Sequence, residues 1–207
     1  IAVFDRALSR LPLPGRDWEP RRVFLFSGHM VDAPDRETPR LPEDKLPLAA
    51  EKIMACLREL DAGPDDLALT QGACGGDLLF TEACQSLGVR VSWLQPFDEP
   101  DFIRSSVVRC SEHWRQRYLA ARQKLGQPVL SAVQELGEPP AFADRGYAYE
   151  RCNRWLLYTA LAWGVEKVHF ICLWNGAGGD GPGGTAHMYE SVARRTGQVH
   201  WIDTRTL

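Results

Sequence analysis

No CxxC pair, no HxxxH or HExxH spacing and no apolar run near bilayer length occurs in this chain of 207 residues. The first absences exclude the common zinc patterns. The last excludes a membrane-spanning helix, which needs about 20 apolar residues. A basic surplus is missing too: the formal net charge is -3 and the pI about 6.0. That balance argues against general nucleic-acid binding. No signal-peptide pattern stands at the start. The six cysteines (Cys56, Cys74, Cys84, Cys110, Cys152, Cys172) are scattered where small apolar residues would pack. Reduced core thiols in a cytosolic protein are the expectation, with no bound metal, no cofactor and no membrane partner.

What is present suits one α/β domain with a sizeable core. The chain opens at Ile1 rather than methionine, which suggests a piece of something longer. Ala2 to Leu11 reads as an amphipathic helix, and Pro12, Pro14, Gly15 and Pro20 as a linker, so residues 1–20 form an appendage to a domain over 21–207.

The domain is organised around a glycine-rich stretch, Trp174 to Glu190. Lys167 to Leu173 before it is apolar enough for a strand buried on both faces. Thr185 can cap a helix running to Arg195. A strand, a glycine loop and a helix in that order can hold an anion, because backbone N–H groups and the helix dipole converge there. Asn175, Gly183, Gly184 and Thr185 are the candidates here. A second such unit is Leu67 to Thr70, the loop Gly72-Ala73-Cys74-Gly75-Gly76-Asp77, and a helix from Asp77 to Leu87. Asp77 either caps that helix or meets a ligand, and Glu82 is either solvated or turned to the cleft.

A first strand, Val23 to Phe26, delivers Ser27, Gly28 and His29 at its carboxyl end, where ligands collect in open parallel sheets. Asp32, Arg36 and Arg40 could reach a ligand from the proline-rich loop that follows. Leu48 to Asp61 reads as a helix. Val89 to Leu94 alternates like a more exposed strand, and Asp101 to Lys124 reads as helical, with Arg104 and Arg109 as sources of positive charge. A short strand is expected over Pro128 to Val133. A buried helix follows from Tyr147 to Trp163, carrying Arg151 and Asn153 in its polar first turns, with Tyr149 on the same face as Asn153. Val199 to Ile202 is the last strand, and His169 and His200 read as half-buried strand residues.

Three of these pieces resemble the SLOG superfamily, the Rossmann-like group of the LOG phosphoribohydrolases and the DNA-processing protein DprA. Gly72 to Asp77 stands where LOG enzymes carry GGGxxGxMG, Arg151-Cys152-Asn153 where they carry an Arg-Lys pair, and Gly181-Pro182-Gly183-Gly184-Thr185 where they carry PGGxGT. The resemblance spans roughly Arg21 to Leu207. It implies a mostly parallel sheet with a nucleotide-derived ligand across its strand ends. It implies that Arg151 is the counterpart of the catalytic arginine, with Glu190 the first carboxylate after Thr185. In the enzymes acidic residues follow the threonine by two and three positions; here those positions hold His187 and Met188. Other SLOG domains are bacterial sensors fused to helical-repeat or effector domains, and some relatives dimerise.

Two functions compete on this reading. One is a sensing module that binds a phosphorylated nucleotide derivative, NAD-derived or cyclic, without turnover. The other is an N-glycosidase of the phosphoribohydrolase kind, in which Glu190 or Glu82 would stabilise an oxocarbenium-like ribose. A domain whose loops bind nothing is the third. Seven tryptophans leave room for a homodimer interface.

Overall fold

The computed structural model describes residues 18–33, 36–109, 111–141, 143–178, 184–196 and 198–207. The expected helix over residues 2–11, most of its linker, and Gly183 lie outside them.

Six parallel strands form one sheet in the order β4-β3-β2-β1-β5-β6. They are β1 (Val23–Gly28), β2 (Leu67–Thr70), β3 (Arg90–Gln95), β4 (Leu130–Ser131), β5 (Val168–Trp174) and β6 (Val199–Asp203). The helices are α1 (Leu46–Glu59), α2 (Gly76–Ser86), α3 (Glu99–Phe102), α4 (His113–Gln123), α5 (Ala132–Leu136), α6 (Arg145–Leu161) and α7 (Thr185–Thr196). The architecture is Rossmann-like α/β.

Strand β1 shows why. Its side chains alternate between two cores: Phe24 and Phe26 pack with α1, α2 and α4, and Val23 and Leu25 with α6 and α7. A strand buried on both faces must be apolar throughout, and Val23 to Phe26 are each at most 2% exposed. Helix α1 buries Leu46, Ala49, Ile53 and Leu57 at helical spacing against the same sheet. Chain order runs from β1 outward to β4, then returns to β5 on the other side of β1. The direction of winding therefore reverses between β1 and β5, and a crevice opens at their carboxyl ends.

Several expectations change. Strand β3 is an interior strand rather than an exposed one. It lies between β2 and β4, with Trp93, Leu94 and Gln95 buried. Two of its polar groups donate inside the fold, Trp93 Nε1 to Thr81 Oγ1 at 3.0 Å and Gln95 Nε2 to Tyr118 Oη at 3.0 Å. The helical stretch from Asp101 is not continuous. A π-helical turn over Ile103–Val107 interrupts it, letting Ser106 O accept the Cys74 N–H at 2.8 Å. The short strand near 128–133 narrows to Leu130–Ser131 before α5. Thr185 is the first residue of α7 rather than its cap. Trp18 packs edge-on against Trp163, and the Arg90 guanidinium lies 4.1 Å from the Trp18 ring centre.

Candidate functional site

At the crevice lies a cavity of about 390 Å³. Three strand ends frame it: Phe26 to Met30 at the end of β1 and just beyond, Gln71 and Ala73 after β2, and Trp174 of β5. Helical walls complete it with Ser105, Ser106, Arg145, Gly146, Tyr149, Asn153, Thr185 and Ala186.

His29 ties the strand ends together. Its N–H donates to Leu173 O at 2.9 Å, and its carbonyl accepts the Gly76 N–H at 3.0 Å. Asn175 holds the ring, with its backbone N–H 3.2 Å and its Oδ1 3.1 Å from Nε2. Burial lowers the imidazole pKa below its ordinary value, the Asn175 contact opposing. The ring is therefore neutral at pH 7 and serves as a hydrogen-bonding group rather than a cation.

The first glycine loop is a cradle already filled. Asp77 Oδ2 accepts the Gly72 N–H at 3.2 Å and the Ala73 N–H at 3.3 Å. The Cys74 amide goes to Ser106 O and the Gly76 amide to His29 O. The glycines here answer to the protein's own packing rather than to a ligand. Gly75 has φ +88°, and a Cβ on it would stand 2.4 Å from Val31 N. Gly72 also has φ +88°, with a Cβ position 2.9 Å from the Trp93 ring. Both positions demand glycine before any ligand is considered. Burial pushes the Asp77 carboxyl up to about 6, against the pull of the hydrogen bonds it accepts. The acid is then mostly ionised at pH 7 and takes up its proton in the mildly acidic range.

Positive charge lines the cavity from elsewhere. Arg40, Arg109 and Arg145 line it, and Asp77 is the single carboxylate among the described lining residues. Arg145 lies 5.3 Å from the Phe97 ring centre, and Phe97 meets Tyr149 edge-on at 5.4 Å. Tyr149 Oη is 2.6 Å from Ser106 Oγ. Gln71 Nε2 donates to Asn153 Oδ1 at 2.8 Å, which fixes the polar floor. A smaller recess of about 50 Å³ shares His29, Met30, Arg40 and Arg109 with the main cavity and adds Val31, Ala33 and the ion pair Asp32–Arg36.

Of the residues singled out from sequence, Ser27, Gly28, His29, Ala73, Asp77, Asn153, Gly184 and Thr185 meet in this cavity, as do Arg40 and Arg109. Ser27 Oγ and Thr185 Oγ1 stand 3.5 Å apart, joining β1 to the start of α7. Gly72, Gly75 and Gly76 sit in the loop behind the wall, and Asn175 acts through His29. The other expected side chains are engaged elsewhere. Arg151 donates to Leu136 O at 2.7 Å and Gly137 O at 2.8 Å, tying α6 to the end of α5. Glu82 pairs with Arg117. Glu190 pairs with Arg194 at 3.8 Å on the exposed face of α7. Arg36 pairs with Asp32 at 3.2 Å, and Arg104 with Asp101.

Sequence reading missed Gln71, Ser105, Ser106, Arg145, Gly146 and Trp174. One signal was available. Asp144 is a good N-cap, and its Oδ1 accepts the Tyr147 N–H at 2.8 Å. Starting α6 there places Gly146, Tyr149 and Asn153 on one face at i, i+3 and i+7.

No protein-family model matches the chain, and no curated protein matches it. Among solved structures it is similar to the Moco carrier protein from Chlamydomonas reinhardtii. That likeness has 14% identity over 90% of this chain and 91% of the other, with a TM-score of 0.36.

Proposed function

We propose that this chain is a ligand-binding module for an anionic, nucleotide-derived small molecule, and that it senses the ligand rather than turning it over. One observation carries the reading: a cavity at the sheet's switch point whose described lining residues include three arginines and one carboxylate. Guanidinium groups are forked donors matched to phosphate oxygens. The start of α7 at Gly184 and Thr185 adds N–H groups and the positive end of a helix dipole. Ser27, Ser105, Ser106, Tyr149 and Asn153 supply hydroxyl and amide partners for the uncharged part of the ligand.

Sensing is favoured because the pair required for glycosidic cleavage is not assembled at the cavity. Arg151 is engaged by two backbone carbonyls, and Glu190 lies on an exposed face. Within the SLOG-like reading, the module belongs to a longer bacterial signalling or defence protein with a helical-repeat or effector partner.

The test is incubation of the purified chain with AMP, NAD and cyclic dinucleotides, followed by thermal unfolding and chromatography. A ligand at 100 times its Kd stabilises by about 2.7 kcal/mol, which raises the melting temperature without altering the nucleotide. No shift with any of the panel overturns the binding site. Release of ribose 5-phosphate overturns sensing in favour of hydrolysis.

A further inference from the structure

The first glycine loop and the arginines border the same cavity but present opposite electrostatics. In the loop, two backbone N–H groups converge on Asp77 Oδ2, and two more are taken by Ser106 and His29 carbonyls. What the loop shows the cavity is therefore a carboxylate. Asp77 is 8% exposed and lines the cavity. The Gly72 and Ala73 amides meet at Oδ2, and the Gln71 amide and the Thr70 hydroxyl also lower the carboxyl pKa as hydrogen-bond partners, so the loop holds this carboxylate in place at the cavity wall. A negative charge fixed at a cavity wall attracts hydroxyl and amino hydrogens and repels phosphate oxygens.

We infer that Asp77 sets the orientation and class of the ligand: it admits the donor-rich, sugar-like end at the first glycine loop and excludes phosphate from it. This rests on the anion-binding reading of the cavity. The phosphate is then directed to Arg40, Arg109, Arg145 and the start of α7. A molecule with hydroxyls at one end and a single phosphate at the other fits this division. A bare polyphosphate that spans the cavity does not. The glycine loop that most resembles a phosphate cradle in sequence is thus the part of the site that refuses one.

Isothermal titration of the chain with two probes at pH 7.5, D-ribose 5-phosphate and inorganic pyrophosphate, tests the inference. The wild type is expected to bind ribose 5-phosphate at least tenfold more tightly. Asp77→Asn keeps an acceptor for the Gly72 and Ala73 amides while removing the charge. It is expected to lose about tenfold on ribose 5-phosphate and to gain on pyrophosphate, so that the preference closes or inverts. A folded Asp77→Asn protein that keeps the wild-type ratio overturns the inference. So does a wild type that binds pyrophosphate as tightly as ribose 5-phosphate, a result that needs no variant and leaves the anion site standing. A wild type that binds neither probe removes the anion site, and this inference with it.

Discussion

Two strand–glycine–helix connections border one cavity, yet they spend their backbone polarity in different ways. The connection from β2 to α2 is saturated from within: its amides go to Asp77, Ser106 and His29, and Gly75 is pressed against the Met30–Val31 backbone. The connection from β5 to α7 brings Gly184, Thr185 and Ala186 to the cavity lining and uses Asn175 to hold His29. The difference teaches that glycine density reports close approach, but not what is approached. In the first loop the neighbour is the protein's own chain. At the second, Gly184, Thr185 and Ala186 border the cavity at the start of a helix.

The largest effect that would break this contrast is on folding. Gly75→Val places a branched side chain at φ +88° and a Cβ at 2.4 Å from Val31 N. A loss of more than about 3 kcal/mol in urea unfolding is expected. Gly184→Val should instead abolish nucleotide binding with little change in stability; equal damage from both variants would erase the distinction between the loops. Next in size is Arg109→Ala. Loss of a charge-assisted hydrogen bond should weaken binding of the tightest panel nucleotide by about 1.5–3 kcal/mol in titration calorimetry. An unchanged Kd would move the anion away from the arginines.

A smaller effect concerns the acid inside the first loop. The Asp77 carboxyl is raised from 3.8 to about 6 in the folded chain. Between those values the folded state binds more protons than the unfolded one, so stability falls as pH rises through that window. Asp77→Asn removes this loss. The variant should exceed the wild type by ~1–2 kcal/mol at pH 8 and lose that advantage by pH 4 in denaturant titrations. An advantage that does not vary with pH would deny the burial penalty assigned to the charge. The smallest expected effect is at Arg151→Ala. Its guanidinium serves the end of α5, so nucleotide affinity should change by no more than a few tenths of a kcal/mol. A loss as large as that of Arg109→Ala would return Arg151 to the site.

Much of the architecture was readable because burial on two faces leaves a plain trace. Val23 to Phe26, Leu67 to Thr70 and Val168 to Leu173 are unbroken or nearly unbroken apolar runs, and each is a central strand. The ends of those runs located Ser27, His29, Ala73 and Thr185 at one rim. Helix faces were less well read. Side chains turn by about 100° per residue, so Arg151 and Asn153 stand roughly 200° apart and cannot share a cavity wall. Asn153 faces it with Tyr149; Arg151 faces α5. The same arithmetic swings Glu190 about 140° away from Thr185, onto the face opposite buried Met188 and Val192. Ser105 and Ser106 were illegible because a π-helical turn sets their direction, and nothing local in Ile103 to Val107 announces one.

By itself the sequence determined the order of strands and helices, the apolar layers on both faces of the sheet, and the rim where the loops end. Hydrophobic periodicity and glycine placement are local properties, and local steric rules act on them directly. Only the tertiary structure decided which polar groups remain for a ligand. That depends on partners distant in the chain: Leu136 and Gly137 for Arg151, Val31 for Gly75, Asn175 for His29. Asp77 shows it most plainly. Its hydrogen bonds are nearly local, but its 8% exposure, its raised pKa and its place in a cavity shared with residues of β1, α6 and α7 are set by the fold.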